Sequence, residues 1–211
     1  MSKKHRHFLG QQARTIPEKQ NPSDRTLWIL TAAAAVVYYL YSFVSNALYM
    51  HDEAAHYLNM REFWHDPNII LGNWAKTGYK LVYVIPSLLG PQAVLILNCL
   101  VAAFACWLAY RVAEAAGAKQ PLFAFAFLAL QPFWVELSFR NYAEPISGVL
   151  LLAALWFHYK DRFLPAALFL SYLMMIRQEF YPILGVYAVF LLVRKQYIPL
   201  IALLATESPR R

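Results

Sequence analysis

Residues 26–50, TLWILTAAAAVVYYLYSFVSNALYM, contain no charged side chain. About 20 apolar residues carry a helix across a bilayer core, so this run is long enough to span with some tilt. Its Trp and Tyr residues lie towards both ends, as they do at membrane interfaces. A stretch like this leaves few folds open, because backbone polar groups in lipid must be satisfied within helices or a closed barrel. Similar runs follow. Leu81–Tyr110 is uncharged but broken by Pro86, Gly90 and Pro91, so it reads as a short helix to about Leu89 and a second span over 91–111. Further spans are expected over about 121–139, 145–159, 163–179 and 181–193. The last apolar run, YIPLIALLA, is half a span, so the chain reads as stopping inside a seventh helix.

The expected fold class is therefore all-α, a polytopic transmembrane helical bundle of six full spans and part of a seventh. Composition agrees: 15% of residues are charged, against about 25% in globular domains. The expected organisation is a cytoplasmic basic tail (1–25), a transmembrane module (26–205) and the tail of a truncated chain (206–211). The first 25 residues are polar and do not resemble a cleavable signal peptide. Within the module, residues 50–80 form an external loop. Its segment DEAAHYLNMREFW reads as a short amphipathic helix with Asp52 as N-cap, and Leu58, Phe63 and Trp64 are placed to rest on the membrane surface. Cys99 and Cys106 are seven apart, two helical turns distant, and read as buried thiols.

Charge assigns the sides. With the N-terminus inside, segments 1–25, 111–120, 158–162 and 194–196 hold twelve Lys/Arg and four Asp/Glu. The outer segments 50–80, 136–144 and 177–180 hold five Lys/Arg and seven Asp/Glu. Cytoplasmic loops collect Lys and Arg, so the N-terminus is expected inside. The formal net charge of +7 is explained by those loops, and nucleic acid is not an expected partner.

The same sorting gathers the outer charges Asp52, Glu53, Glu136, Arg140, Glu144, Arg177 and Glu179 close to or within spans. Ionisable groups at that depth face a cavity or a partner and are candidate functional residues. Structural readings compete. Glu136, Arg140 and Glu144 are spaced four apart, as in an ion-pair ladder. Arg177 snorkels at an interface, and Glu53 complements a helix dipole. Zinc is disfavoured, because His51 and His56 are five apart where a metalloprotease helix needs four. Asp52 and His56 are four apart and share a face. No nucleophile-elbow, phosphate-loop or dinucleotide motif is present.

An Asp-Glu pair opening the first external loop, with Tyr57 a few positions on, resembles GT-C type membrane glycosyltransferases. The likeness is nearest to the protein O-mannosyltransferase and aminoarabinose-transferase group, glycosyltransferase family 39 and its relatives. TGYKLVYVIPSLLG resembles the family's loop exit, keeping Lys80 and Gly90 without the paired prolines. NYAEP resembles its acidic entry to a later span, with Glu144 at the acidic position. Arg177-Gln178-Glu179 resembles its Arg-x-Glu. The resemblance covers about residues 26–195.

It implies transfer of a sugar from a polyprenyl- or dolichyl-phosphate carrier at the outer membrane face to an acceptor of unidentified class. The expected location is the bacterial inner membrane, or the endoplasmic reticulum membrane of a eukaryote. Asp52 and Glu53 are the implied catalytic acids; Tyr57, Lys80, Arg140, Glu144, Arg177 and Glu179 are the implied substrate-binding residues. No metal ligand or cofactor is assigned, although a divalent cation at the acids fits some relatives. Family members usually carry eight or more spans, so the chain is expected to be either a complete short enzyme or a truncated one, whose site alone would be incomplete and inactive. The rival readings are a transporter or channel subunit and a non-catalytic scaffold. A transporter predicts charges through the membrane depth, whereas the middles of these spans lack Asp, Glu, Lys and Arg.

Overall fold

The computed structural model describes residues 22–45, 51–71 and 76–205. Among them there is no strand, and the elements are helical: α1 (Asp24–Val44), α2 (His51–Glu62), a 3-10 helix (Pro67–Leu71), α3 (Thr77–Leu88), α4 (Pro91–Ala115), α5 (Leu122–Leu130), α6 (Pro132–Ser138), α7 (Glu144–Tyr159), α8 (Phe163–Met174), a 3-10 turn (Gln178–Phe180), α9 (Tyr181–Val193) and α10 (Tyr197–Leu204). Two of them, α1 and α4, are long and apolar enough to cross a membrane.

Prolines set several helix starts. Pro91, Pro132, Pro145 and Pro182 each occupy the first or second position of a helix, where a missing N–H costs nothing. The expected span over 121–139 is broken at one of them. Gln131 is extended and Pro132 opens a new helix, so the stretch folds as α5 and α6, with the Gln131 side chain capping the Trp134 amide. The span expected over 163–179 also stops early. α8 ends at Met174, and Arg177 is extended (φ −143°, ψ 124°).

At the centre lies α4. Its buried face includes Cys99, Ala102, Ala103, Ala105 and Cys106, small side chains that let α1 on one side and α7 on the other approach closely. Both thiols are free. Tyr38 of α1 donates to the Ala129 carbonyl at 3.0 Å, tying α5 to this face. Asn98, in mid-helix, donates to the carbonyls of Leu137 and Arg140 and accepts from the Tyr83 hydroxyl at 2.7 Å. A single amide thus joins α3, α4 and the end of α6.

The bundle has two polar ends. At one, Arg111 bridges Asp24 of α1 and Glu114 of its own helix, and the α7–α8 and α9–α10 turns carry Lys160, Arg162, Arg194 and Lys195. At the other stand α2, α3, the α6–α7 junction and the α8–α9 junction. Between the ends, large apolar side chains are exposed on several helices: Val37, Phe43 and Val44 on α1, Phe127 and Leu130 on α5, Val186 and Val193 on α9, and Ile198 and Ile201 on α10. Apolar exposure on this scale marks a surface that meets something other than water.

Candidate functional site

The segment after the first long helix folds as α2, and its buried face is mixed in polarity. Glu53, His56 and Met60 are buried, at the i, i+3, i+7 spacing of one helix stripe. The amphipathic reading is therefore corrected: the inward stripe holds a carboxylate and an imidazole as well as apolar groups. Of the three side chains expected on a membrane surface, Leu58 and Trp64 are exposed, while Phe63 packs against the core. Asp52 lies in the first turn of α2 rather than at its N-cap.

Glu53 is 2% exposed, and both its oxygens are engaged. One accepts from the Asn141 backbone N–H at 2.9 Å, and the other pairs with Arg140 at 3.4 Å. The Asn141 amide returns a hydrogen bond to the Glu53 carbonyl at 2.9 Å, and its oxygen accepts from the Tyr79 hydroxyl. These bonds clamp α2 onto the α6–α7 junction. Arg140 also meets Glu136 at 3.0 Å, as the i,i+4 spacing predicts. The second rung of that ladder does not form. Ser138 ends α6 and Glu144, with Pro145 after it, opens α7, so Arg140 turns to Glu53 and Glu144 turns to Arg177 at 2.7 Å. The Arg177–Glu144 ion pair replaces the snorkelling geometry, and Glu179 lies exposed in the following 3-10 turn. Tyr57 reaches the Ser87 carbonyl at 3.5 Å.

The α3 helix delivers Lys80. Its first turn is pinned to the end of α8: the Gly78 N–H donates to the Met175 carbonyl at 3.0 Å, and Tyr172 donates to the Gly78 carbonyl at 2.8 Å. A Cβ at Gly78 would stand 2.9 Å from Ile176 and from Met175, so only glycine permits this approach. Lys80 is 1% exposed. Among the described residues no carboxylate lies within ion-pair distance; with the Asn59 amide turned to face it, Nζ donates to that oxygen at 2.9 Å. Burial, and then the neighbouring Lys76, holds the ammonium below the usual lysine range. A buried cation without a carboxylate partner among the described residues is the feature that the spacing of residues could not reveal.

His56 lies beside it, edge-on to the Tyr79 ring at 5.8 Å. Burial, helped by Lys76 and Lys80 and opposed by Asp52, lowers its pKa from 6.5 to about 4. At pH 5.5 an ordinary imidazole is about 90% protonated, whereas His56 is expected to remain neutral. An unfolded chain therefore binds more protons than the folded one between pH 4 and 6.5. The contribution of this site to stability is intact above pH 6.5 and declines as the pH falls towards 4. NMR titration of ring-labelled histidine, with His56→Gln to assign the signal, measures this; an inflection near 6.5 would contradict it.

Around these groups, Arg140 Nε, Arg177 Nε and Glu144 Oε2 are buried without a hydrogen-bond partner among the described residues. Asp52, Glu136 and Glu179 are the exposed acids of the cluster. Among the described residues no three His, Cys, Asp or Glu side chains gather as a metal site. Asn141, Asn98, Tyr79 and Tyr83 complete the cluster and were not singled out from sequence, whereas His56 stood out there only for its spacing from His51 and Asp52. The available signal was a polar amide inside an apolar run, as at Asn98. No family profile, curated protein or solved structure matches this chain.

Proposed function

We propose that the chain is a membrane-embedded glycosyltransferase of GT-C type that takes a sugar from a polyprenyl- or dolichyl-phosphate carrier. In this reading the basic end of the bundle faces the cytoplasm and the α2–α3 end faces outward. The shorter apolar helices complete the six spans and part of a seventh beside α1 and α4. The observation that carries the reading is the buried Lys80 ammonium, without a carboxylate partner among the described residues, in a cluster that also holds Arg177, Arg140 and an exposed acid. Such a cation suits an anionic ligand group, because an uncompensated buried charge is costly until one arrives.

The chemistry distributes over the cluster. The exposed Asp52 carboxylate takes the proton of an acceptor hydroxyl as that oxygen bonds to the anomeric carbon. The bond from that carbon to the carrier phosphate breaks, and its electron pair leaves on the phosphate oxygen. Lys80 and Arg177 stabilise the charge that develops there. Glu53 and Arg140 act as positioning residues, holding α2 and hence Asp52 against the α6–α7 junction.

The test is release of polyprenyl phosphate from a panel of carrier-linked pentoses and hexoses, using the protein in vesicles with cell-envelope or membrane extract as acceptor source. Asp52→Asn should slow release by about 100-fold or more while leaving donor binding intact. Full turnover by Asp52→Asn would remove Asp52 as the base. No release from any donor by a correctly inserted protein would remove the reading.

A further inference from the structure

A second site lies away from the charged cluster. Between α7 and α9, floored by Leu170 of α8, is an apolar cavity of about 440 Å3. Ala154, Leu155 and His158 form one wall, and Val186 and Tyr187 the other. It is open at the surface: Leu155 is 37% and Val186 73% exposed. At the end nearest the α7–α8 turn, two polar atoms enter the apolar lining. These are His158 Nδ1 and the Tyr187 hydroxyl oxygen, both buried and without a hydrogen-bond partner among the described residues. Their rings stand 5.7 Å apart, and His158 packs on Phe190 at 5.0 Å. Leaving such groups unmet is costly unless something else supplies a partner.

The same end is basic. The Arg194 guanidinium lies over Phe190, 5.6 Å from its centroid, and Lys160 Nζ lies 4.1 Å from the Trp156 ring. Arg162 and Lys195 stand in the same turns, where Asp161 is the lone acid. Apolar walls, two unmet hydrogen-bonding atoms and a cationic rim occur in that order along the groove. We propose that this groove holds one acyl chain of an anionic phospholipid from the cytoplasmic leaflet. The chain lies between α7 and α9. The ester carbonyls accept from Tyr187 and from the His158 ring, and the phosphate meets Arg194. The charge complementarity favours a phospholipid over the sugar carrier, whose phosphate is needed at the opposite end of the bundle. The inference rests on the membrane orientation proposed above and is independent of sugar transfer.

The experiment is native mass spectrometry of the full chain extracted from mixed phosphatidylglycerol and phosphatidylcholine vesicles. Wild type should retain one phospholipid, preferring phosphatidylglycerol about fivefold for each basic side chain engaged. Val186→Trp, on an exposed wall, should fill the groove and lose the lipid. Tyr187→Phe should weaken retention, and Arg194→Gln should keep a lipid but lose the preference. Equal retention of both lipids by wild type, or undiminished retention by Val186→Trp, overturns the proposal. Should Val186→Trp fail to reach the helicity of wild type, Leu155→Phe serves in its place: lost lipid supports the groove, and undiminished retention overturns it. Cysteine labelling at position 195 from the cytoplasmic side separates the groove from the orientation. Labelling without lipid retention refutes the groove alone; labelling only from outside refutes the orientation on which it depends.

Discussion

Glu53→Ala is expected to destabilise the protein by about 3–5 kcal/mol, the cost typical of removing one partner from a buried ion pair. The reason is geometric. Glu53 is 2% exposed, and its removal strands the Asn141 backbone N–H and one arm of the Arg140 guanidinium. Among the described residues Arg140 would keep only the Glu136 carboxylate, which is half exposed and screened by water. Because the Glu53 backbone carbonyl also holds the Asn141 amide, loosening of α2 releases the Tyr79 contact as well. Denaturant titration of the protein in detergent micelles, followed by near-ultraviolet circular dichroism, measures the loss. Glu53→Gln separates shape from charge. It retains an oxygen for Asn141 but turns an amide N–H2 towards Arg140, so it should recover only part of the stability. A Glu53→Ala protein as stable as wild type would show that α2 is held by its apolar contacts alone.

Spacing along the chain discloses local features and stops at pairings such as this one. Uncharged runs and prolines located most helices, because apolar length and a missing N–H act locally. The i,i+4 spacing brings Glu136 of α6 to Arg140, two residues past the helix end, but does not bring Arg140 to Glu144, the first residue of α7. Non-helical backbone over 139–143 breaks that spacing, and each side chain then finds a partner from a distant segment: Glu53 lies 87 positions before Arg140, and Arg177 lies 33 after Glu144. The break at Gln131 was missed because hydropathy stays high across it; only the proline betrays it. Lys80 was singled out from a family likeness, yet its burial was invisible. A lysine three residues into a helix that opens with Thr-Gly-Tyr reads as surface until Gly78 is seen against Met175. The charges were legible as a set on one face, whereas their division into a clamp (Glu53, Arg140, Asn141) and an open acid (Asp52) required the fold.

Lys80→Met is expected to stabilise the folded chain while damaging its activity. The ammonium is 1% exposed, with an amide oxygen as its partner. Its depressed pKa means that the unfolded chain holds the proton more tightly than the folded one. The sign follows: stability from this position is complete above the ordinary lysine value of 10.5 and is lost as the pH falls through the lower folded value. At neutral pH the charge is therefore a liability, and an apolar side chain of similar length relieves it, by about 1–3 kcal/mol on the scale seen when buried charges are replaced. Donor binding should move the other way. An arriving phosphate supplies the missing counter-charge, so its loss should weaken binding by about 100-fold, the worth of a charge-assisted hydrogen bond in a buried setting. Fluorescence titration with a polyprenyl-phosphate sugar and a thermal melt of the same protein give the two numbers. A residue retained only for folding would lower both together. Stability rising as affinity falls is the signature of a buried charge kept for a ligand, and unchanged affinity in Lys80→Met would remove Lys80 from the site.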